Sequence, residues 1–185
     1  MNRHLKRAIQ VACAFLGGIL IVLLVIPLFG PAWHGLHGNS ISYQGWRVHI
    51  PAGFYVWNSR EHPAIWKTTF GTPLFKVPYA HVTLFSGNPE QPFDLKEIRE
   101  NFSKVVAEEA SRRGFRLISS IVVPVSSRNA YCWQFSKSSK SLVRCAIDGT
   151  AVAVFYEGDS RYVPDLFDIL RGMSPESPRG AKAAA

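Results

Sequence analysis

The chain has 185 residues, with 21 Lys+Arg against 13 Asp+Glu for a net charge of +8, 47% apolar and 18% charged residues, and three cysteines. That length suits one domain with an appendage. The composition excludes a collagen, a disulfide-dense miniature scaffold and a wholly disordered chain.

Much of the apolar content sits near the N-terminus. From Ala8 to Phe29 no residue is charged, and Gln10 is the one polar side chain. As a helix rising 1.5 Å per residue this run spans about 33 Å, enough for a bilayer core of about 30 Å. Arg3, His4, Lys6 and Arg7 precede it, and the next Lys or Arg is Arg47. The positive-inside bias therefore predicts a basic cytoplasmic segment at 1–7, a transmembrane signal anchor at 8–29 and an extracytoplasmic remainder, periplasmic in a Gram-negative envelope. The competing reading is a cleaved signal peptide, with Gly30-Pro31-Ala32 preceding a cut at Trp33. The apolar run is longer than the core of about 7–15 residues usual in such signals. Residues 30–40 read as a flexible linker, because two glycines and a proline oppose a helix that would align His34 with His37. A zinc site needs three or four ligands, so no metal is expected there.

The outer domain is expected at 41–173. Ser42–Ile50 alternates in polarity, interrupted by Gly45, and Pro51-Ala52-Gly53 turns the chain into a strand at Phe54–Trp57. Residues 58–78 hold three prolines and no sustained period, which predicts a long loop with a short strand near Ile65–Thr69. Tyr79–Ser86 reads as a strand. Over Asp94–Arg113 the residues Leu95, Ile98, Phe102, Val105, Val106 and Ala110 recur at three- and four-residue steps, an amphipathic helix. Asp94 with Glu97 has the form of a capping box, and Gly114 follows a basic last turn. Strands are predicted at Phe115–Val125, Ala130–Ser136, Ser141–Ile147 and Thr150–Tyr156, then a short helix at Pro164–Arg171. Residues 174–185 read as a disordered tail. The fold class expected is α+β: one N-terminal transmembrane helix, then an antiparallel sheet with one long and one short helix packed on it.

Several of these features are similar to those of the PsbP-like fold: the run Ile50-Pro51-Ala52-Gly53-Phe54, the helix at 94–113, the Asp148-Gly149 hairpin, and a closing helix carrying Phe167, Ile169 and Leu170. The resemblance covers roughly 41–173. It implies a binding or assembly module and carries no catalytic residue onto this chain.

Hairpin registers sharpen the picture. A four-residue loop at 137–140 pairs Ser136 with Ser141 and places Cys132 directly opposite Cys145, within reach of a disulfide. An extracytoplasmic compartment permits that bond, which in the chain-entropy treatment contributes roughly 3 kcal/mol. The alternative is two buried thiols that merely pack. A type I′ turn at Asp148-Gly149 then pairs Cys145 with Val152 and Val143 with Val154. One face of the sheet holds Cys132, Val143, Cys145, Ile147, Val152 and Val154. The other holds Tyr131, Trp133, Phe135, Leu142, Arg144 and Phe155 with small residues. Arg144 is expected between Trp133 and Ala153. It is either a guanidinium stacked on the indole with its head at solvent or a carboxylate, or the cation of an aromatic surface suited to an anionic ligand. The helix at 94–113 and the closing helix are assigned to one face of the sheet, leaving the cover of the other open.

No nucleophile elbow, zinc-protease signature, C-x-x-C, P-loop or dinucleotide fingerprint occurs. His49, His62 and His81 are dispersed, and Glu108-Glu109 diverge on a helix. The sequon Asn101-Phe102-Ser103 lies mid-helix. Arg112, Arg113, Arg116, Arg128, Lys137 and Lys140 are candidates for a basic surface. The sequence thus predicts no catalytic residue, no metal and no cofactor. It predicts a membrane-anchored interaction or assembly module of the cell envelope, with an envelope protein as partner and no nucleic acid. Tyr131, Trp133, Phe135 and Arg144 are its candidate binding residues. The alternative is a domain binding an anionic small or polymeric ligand through the same aromatic and Arg surface, and an envelope hydrolase ranks third.

Overall fold

A computed structural model describes residues 3–25, 28–57, 62–67 and 79–176. Helix α1 spans Arg3–Val25 and α2 spans Phe29–His37. Ten strands follow in two sheets: β1 Ser40–Tyr43, β2 Trp46–His49, β3 Phe54–Trp57, β4 Ala64–Lys67, β5 Ala80–Ser86, β6 Arg116–Val125, β7 Arg128–Lys137, β8 Lys140–Ile147, β9 Val152–Asp159 and β10 Ser174–Pro175. Between β5 and β6 runs a composite helix, α3: Leu95–Glu97, a π-helical turn at Ile98–Phe102, then Ser103–Arg112. A 3-10 turn at Ser160–Tyr162 leads into α4, Val163–Arg171.

The architecture corrects the expected fold class in three respects. Among the described residues no helix is long and apolar enough to cross a membrane. The transmembrane helix expected at 8–29 is therefore not supported. That expectation assumed one helix running to Phe29. Instead α1 as described spans Arg3–Val25 and includes Arg3, Lys6 and Arg7. Second, the linker expected at 30–40 holds α2. Gly30 lets it approach the Gly53 backbone to a distance where a Cβ would sit 3.1 Å away, and the His34 ring meets the Pro51 carbonyl at 3.2 Å. Third, the strands form two sheets rather than one.

The smaller sheet has the order β1-β2-β10. Its β1–β2 hairpin turns at Gln44-Gly45, both at positive φ (49° and 75°), so the predicted single strand 42–50 is folded back on itself. Ser174 and Pro175, assigned to the tail, pair with Arg47 and Trp46. Residues 177–185 of that tail lie outside the described residues, as do 58–61 and 68–78, most of the predicted long loop.

The larger sheet is antiparallel throughout, in the order β3-β4-β5-β9-β8-β7-β6. The chain leaves β5, crosses through α3 to the far edge, and meanders back until β9 lies beside β5. Both faces are covered, each by its own helix. Cys132, Val143, Cys145, Val154, Tyr156 and Leu84 join Leu166, Ile169 and Leu170 of α4 and the apolar face of the smaller sheet in the main core. On the opposite face Phe135 and Leu142 pack with Val106 and Ala110 of α3 and with Phe115. Cys132 and Cys145 pair in register and are joined by a disulfide.

Candidate functional site

Helix α3 sets the geometry of its face. Asp94 caps it, its carboxylate accepting from the Glu97 amide at 2.7 Å. The residues of its buried stripe, Ile98, Phe102, Val106 and Ala110, follow at four-residue steps. Each step drifts about 40° on a helix of 3.6 residues per turn. The π turn at 98–102 takes up part of that drift and leaves Val105, expected in the stripe, 63% exposed.

Arg144, on β8, lies between Trp133 and Phe155 in register rather than between Trp133 and Ala153. The second hairpin is offset by two residues from the predicted register, pairing Cys145 with Val154. A type I′ turn needs positive φ at both central residues, and only Gly149 has it (67°). Thr150 instead bridges to Phe93, and its hydroxyl donates to the Ile147 carbonyl at 2.8 Å. A two-residue shift preserves the faces, so the side chains point as predicted.

The four candidate binding residues separate into two pairs. Arg144 is 5% exposed, with one side on a small cleft beside His81. It donates to Glu109 through Nη2 (2.7 Å) and Nε (3.2 Å), and through Nη1 to the Tyr156 carbonyl (3.2 Å). Its guanidinium stacks 4.5 Å from the Phe155 ring centre. These bonds from Arg144 hold the Glu109 carboxyl below its ordinary range. Phe135 is buried beneath α3. Both side chains are buried away from the groove beside β6. Tyr131 and Trp133 are half-buried and line a groove of about 260 Å³ between α3 and β6, with Arg99, Ser103, Ser120 and Val122. Arg99, which sequence reasoning missed, belongs to the π turn and lies 5.7 Å over the Tyr131 ring. Its only sequence signal is a cation one turn ahead of Phe102 on a helix otherwise read for its apolar stripe.

Strand β6 forms one wall of this groove and is the last strand of the sheet. Among the described residues nothing pairs with its outer edge. Leu117, Ile118 and Val122 are 55%, 57% and 54% exposed. A bulge between Leu117 and Ser119 breaks the pairing with β7. The other edge strand, β3, is packed against α2.

Two further cavities lie on the α3 side. Beside the β7–β8 turn a space of about 450 Å³ is lined by Arg113, Lys137, Lys140 and Glu157 among others. Lys137 and Lys140 face each other in register. Lys137 donates to the Arg113 carbonyl at 2.9 Å, and Glu157 is taken by Arg113 at 2.6 Å. A smaller cleft of about 120 Å³ holds His81, Thr83, Arg144 and Glu157. There His81 Nε2 lies 3.0 Å from the Thr83 hydroxyl, and the ring stacks on Trp66 at 4.2 Å. Burial lowers the His81 pKa, partly offset by Glu157, so the ring is neutral at pH 7. The carboxylate that could orient this imidazole is the one bound to Arg113. His62 packs on Phe85 at the cleft wall, and His49 is exposed on β2. Among the described residues no group of three His, Cys, Asp or Glu could hold a metal.

No protein-family model matches the chain, and no curated protein is similar enough in sequence to count as a relative. The PsbP-like resemblance therefore rests on the sequence features set out above.

Proposed function

We propose that this chain is a binding module of an oxidising, extracytoplasmic compartment, and that it engages a partner polypeptide along β6. The observation that carries this reading is the open β6 edge, with Leu117, Ile118 and Val122 exposed beside a groove that holds Tyr131 and Trp133. An edge strand presents a row of backbone donors and acceptors that another chain can pair with. The Cys132–Cys145 disulfide supports the compartment, because such bonds persist where thiols are not kept reduced.

The test is photo-crosslinking in intact cells from a benzophenone residue in place of Val122, with the same residue in place of Val105 as control. Both positions are exposed, but only the first lies on β6. A polypeptide adduct specific to position 122 is expected. Equal adducts from both positions, or none, would remove the reading.

A second reading, an anionic ligand, is favoured at a different place from the one the sequence suggested. Lys137 and Lys140 oppose each other beside the 450 Å³ cavity, and although Asp159 faces Lys140 from β9, among the described residues neither amine has a carboxylate within 4 Å. Facing like charges destabilise a strand pair, and an oxyanion would relieve that. Phosphate raising the Tm of the parent protein but not of Lys137→Gln supports this reading; equal shifts refute it.

A further inference from the structure

We infer that the occupant of the β6 edge is an extended segment bearing a glutamate, whose carboxylate is taken by Arg99. The inference rests on β6 as the docking edge and adds the chemistry of what docks there. Each of Lys67, Arg113, Arg144, Arg161 and Arg171 has a carboxylate within 4 Å. Arg99, like Arg47, Arg112, Arg116 and Arg128, has none among the described residues, and it is the cation that lines the groove. Its guanidinium lies over the face of Tyr131, which lines the same groove, and the groove lining contains no acid. A guanidinium held over an aromatic face keeps its forked donors free for a carboxylate.

Register and reach restrict the segment further. Ser120 pairs with Trp133 and Val122 with Tyr131, so these four side chains share the α3 face of the sheet. An added strand lies one spacing of about 4.8 Å beyond β6 and so about 9.6 Å beyond β7, where Tyr131 sits under Arg99. A Glu side chain reaches one methylene farther from the added strand toward Arg99 than an Asp side chain does. Alternate residues of the segment point to the same face, where Val122 and Leu117 offer apolar contacts. A second copy of this chain fits poorly, because its own β6 carries Arg116 and no acidic residue. Self-pairing would leave Arg99 without a partner.

The full chain is titrated with a fluorescein-labelled nonapeptide of alternating Thr and Val with a central Glu. Counterparts carry Gln or Asp at the centre, or N-methyl groups on alternate residues. The Glu peptide is expected to bind about tenfold more tightly than the Gln peptide, with Asp between them. In Arg99→Gln the three should bind alike. Arg99 is exposed, so that variant keeps the fold, and circular dichroism checks this. Equal binding of Glu and Gln peptides to the parent chain overturns the carboxylate inference and leaves the edge reading standing. An N-methylated peptide that binds as well as its parent overturns the edge reading itself, and absence of binding by every peptide overturns both. A concentration-dependent dimer lost on Val122→Lys makes a second copy the occupant and refutes the inference.

Discussion

The pair Arg144–Glu109 yields a prediction whose sign separates a buried structural cation from an open binding cation. Unit charges about 4 Å apart attract by about 4 kcal/mol at an effective dielectric of about 20. Glu109 is 37% exposed, against 6% for the Arg144 side chain. Solvent screening on the Glu109 side reduces the figure to about 2 kcal/mol. Glu109→Gln removes that attraction and strands the buried member of the pair, so it should cost about 2 kcal/mol. Arg144→Met removes the same attraction together with the desolvation penalty of a cation that water hardly reaches. It strands the exposed member, which still has Arg113 at 3.4 Å. It also takes a donor from the Tyr156 carbonyl, so its cost should be about 1 kcal/mol. Losing the carboxylate should therefore hurt more than losing the guanidinium, and the double variant should resemble Arg144→Met.

Urea unfolding at pH 7, followed by far-ultraviolet circular dichroism with the disulfide intact, measures all three costs if the m-values agree. The pH dependence supplies a second readout. The folded Glu109 pKa is depressed, first by its hydrogen bond from Arg144. Its stabilisation is therefore complete above the unfolded pKa of about 4.3 and is lost as pH falls through the lower folded value. The gap between the parent and Glu109→Gln should persist from pH 7 to about pH 5 and narrow as pH falls below the unfolded value. A cost for Arg144→Met above that of Glu109→Gln, or a gap that does not narrow in acid, would refute the burial argument.

Three other outcomes follow from the fold. Reducing Cys132–Cys145, which closes a separation of 13 residues, should cost roughly 3 kcal/mol in urea. Before reduction Cys13 alone should react with maleimide, and a second or third adduct by mass would contradict the bond. Gly158→Ala should prevent folding or cost more than about 2 kcal/mol in thermal melts, because its Cβ would lie 2.3 Å from the Tyr79 carbonyl, which is backbone and cannot swing aside. Asp94→Ala should cost about 1 kcal/mol by losing the cap on the Glu97 amide, and an unchanged urea midpoint would mean the helix start is held otherwise.

The sequence discloses what depends on short-range pattern. Cys132 opposite Cys145 follows from one turn length, and the capped start of α3 follows from Asp94 and Glu97. The faces of β7, β8 and β9 follow from alternation alone, which is why a two-residue error at Asp148-Gly149 left them intact. Long-range choices are not legible in the same way. Gln44-Gly45 does not announce a hairpin, because Gln is an uncommon residue for positive φ. The docking of α2 depends on Gly30 meeting Gly53, a contact across 23 positions that no periodicity records. The assignment of both soluble helices to one face failed for a similar reason, since two amphipathic stripes do not say which side of a doubly apolar sheet each will take.

The same division explains why the four candidate binding residues separate into two pairs. Tyr131, Trp133, Phe135 and Arg144 share one sheet face, and alternation finds all four. Alternation does not show how far α3 reaches across that face. Val106 and Ala110 lie over Phe135, and Glu109 closes on Arg144, so the middle of the sheet is sealed. Toward the Tyr131 end of β7 the helix is in its π turn, and there Tyr131 and Trp133 are left to line a groove. The point where the helix departs from 3.6 residues per turn thus coincides with the point where the sheet face opens. Ile98 anchors that turn in the interior while Arg99, the next residue, is exposed at the groove. Under the proposal, the Arg99 guanidinium, held over Tyr131 where the groove opens, is the group that meets an acidic strand.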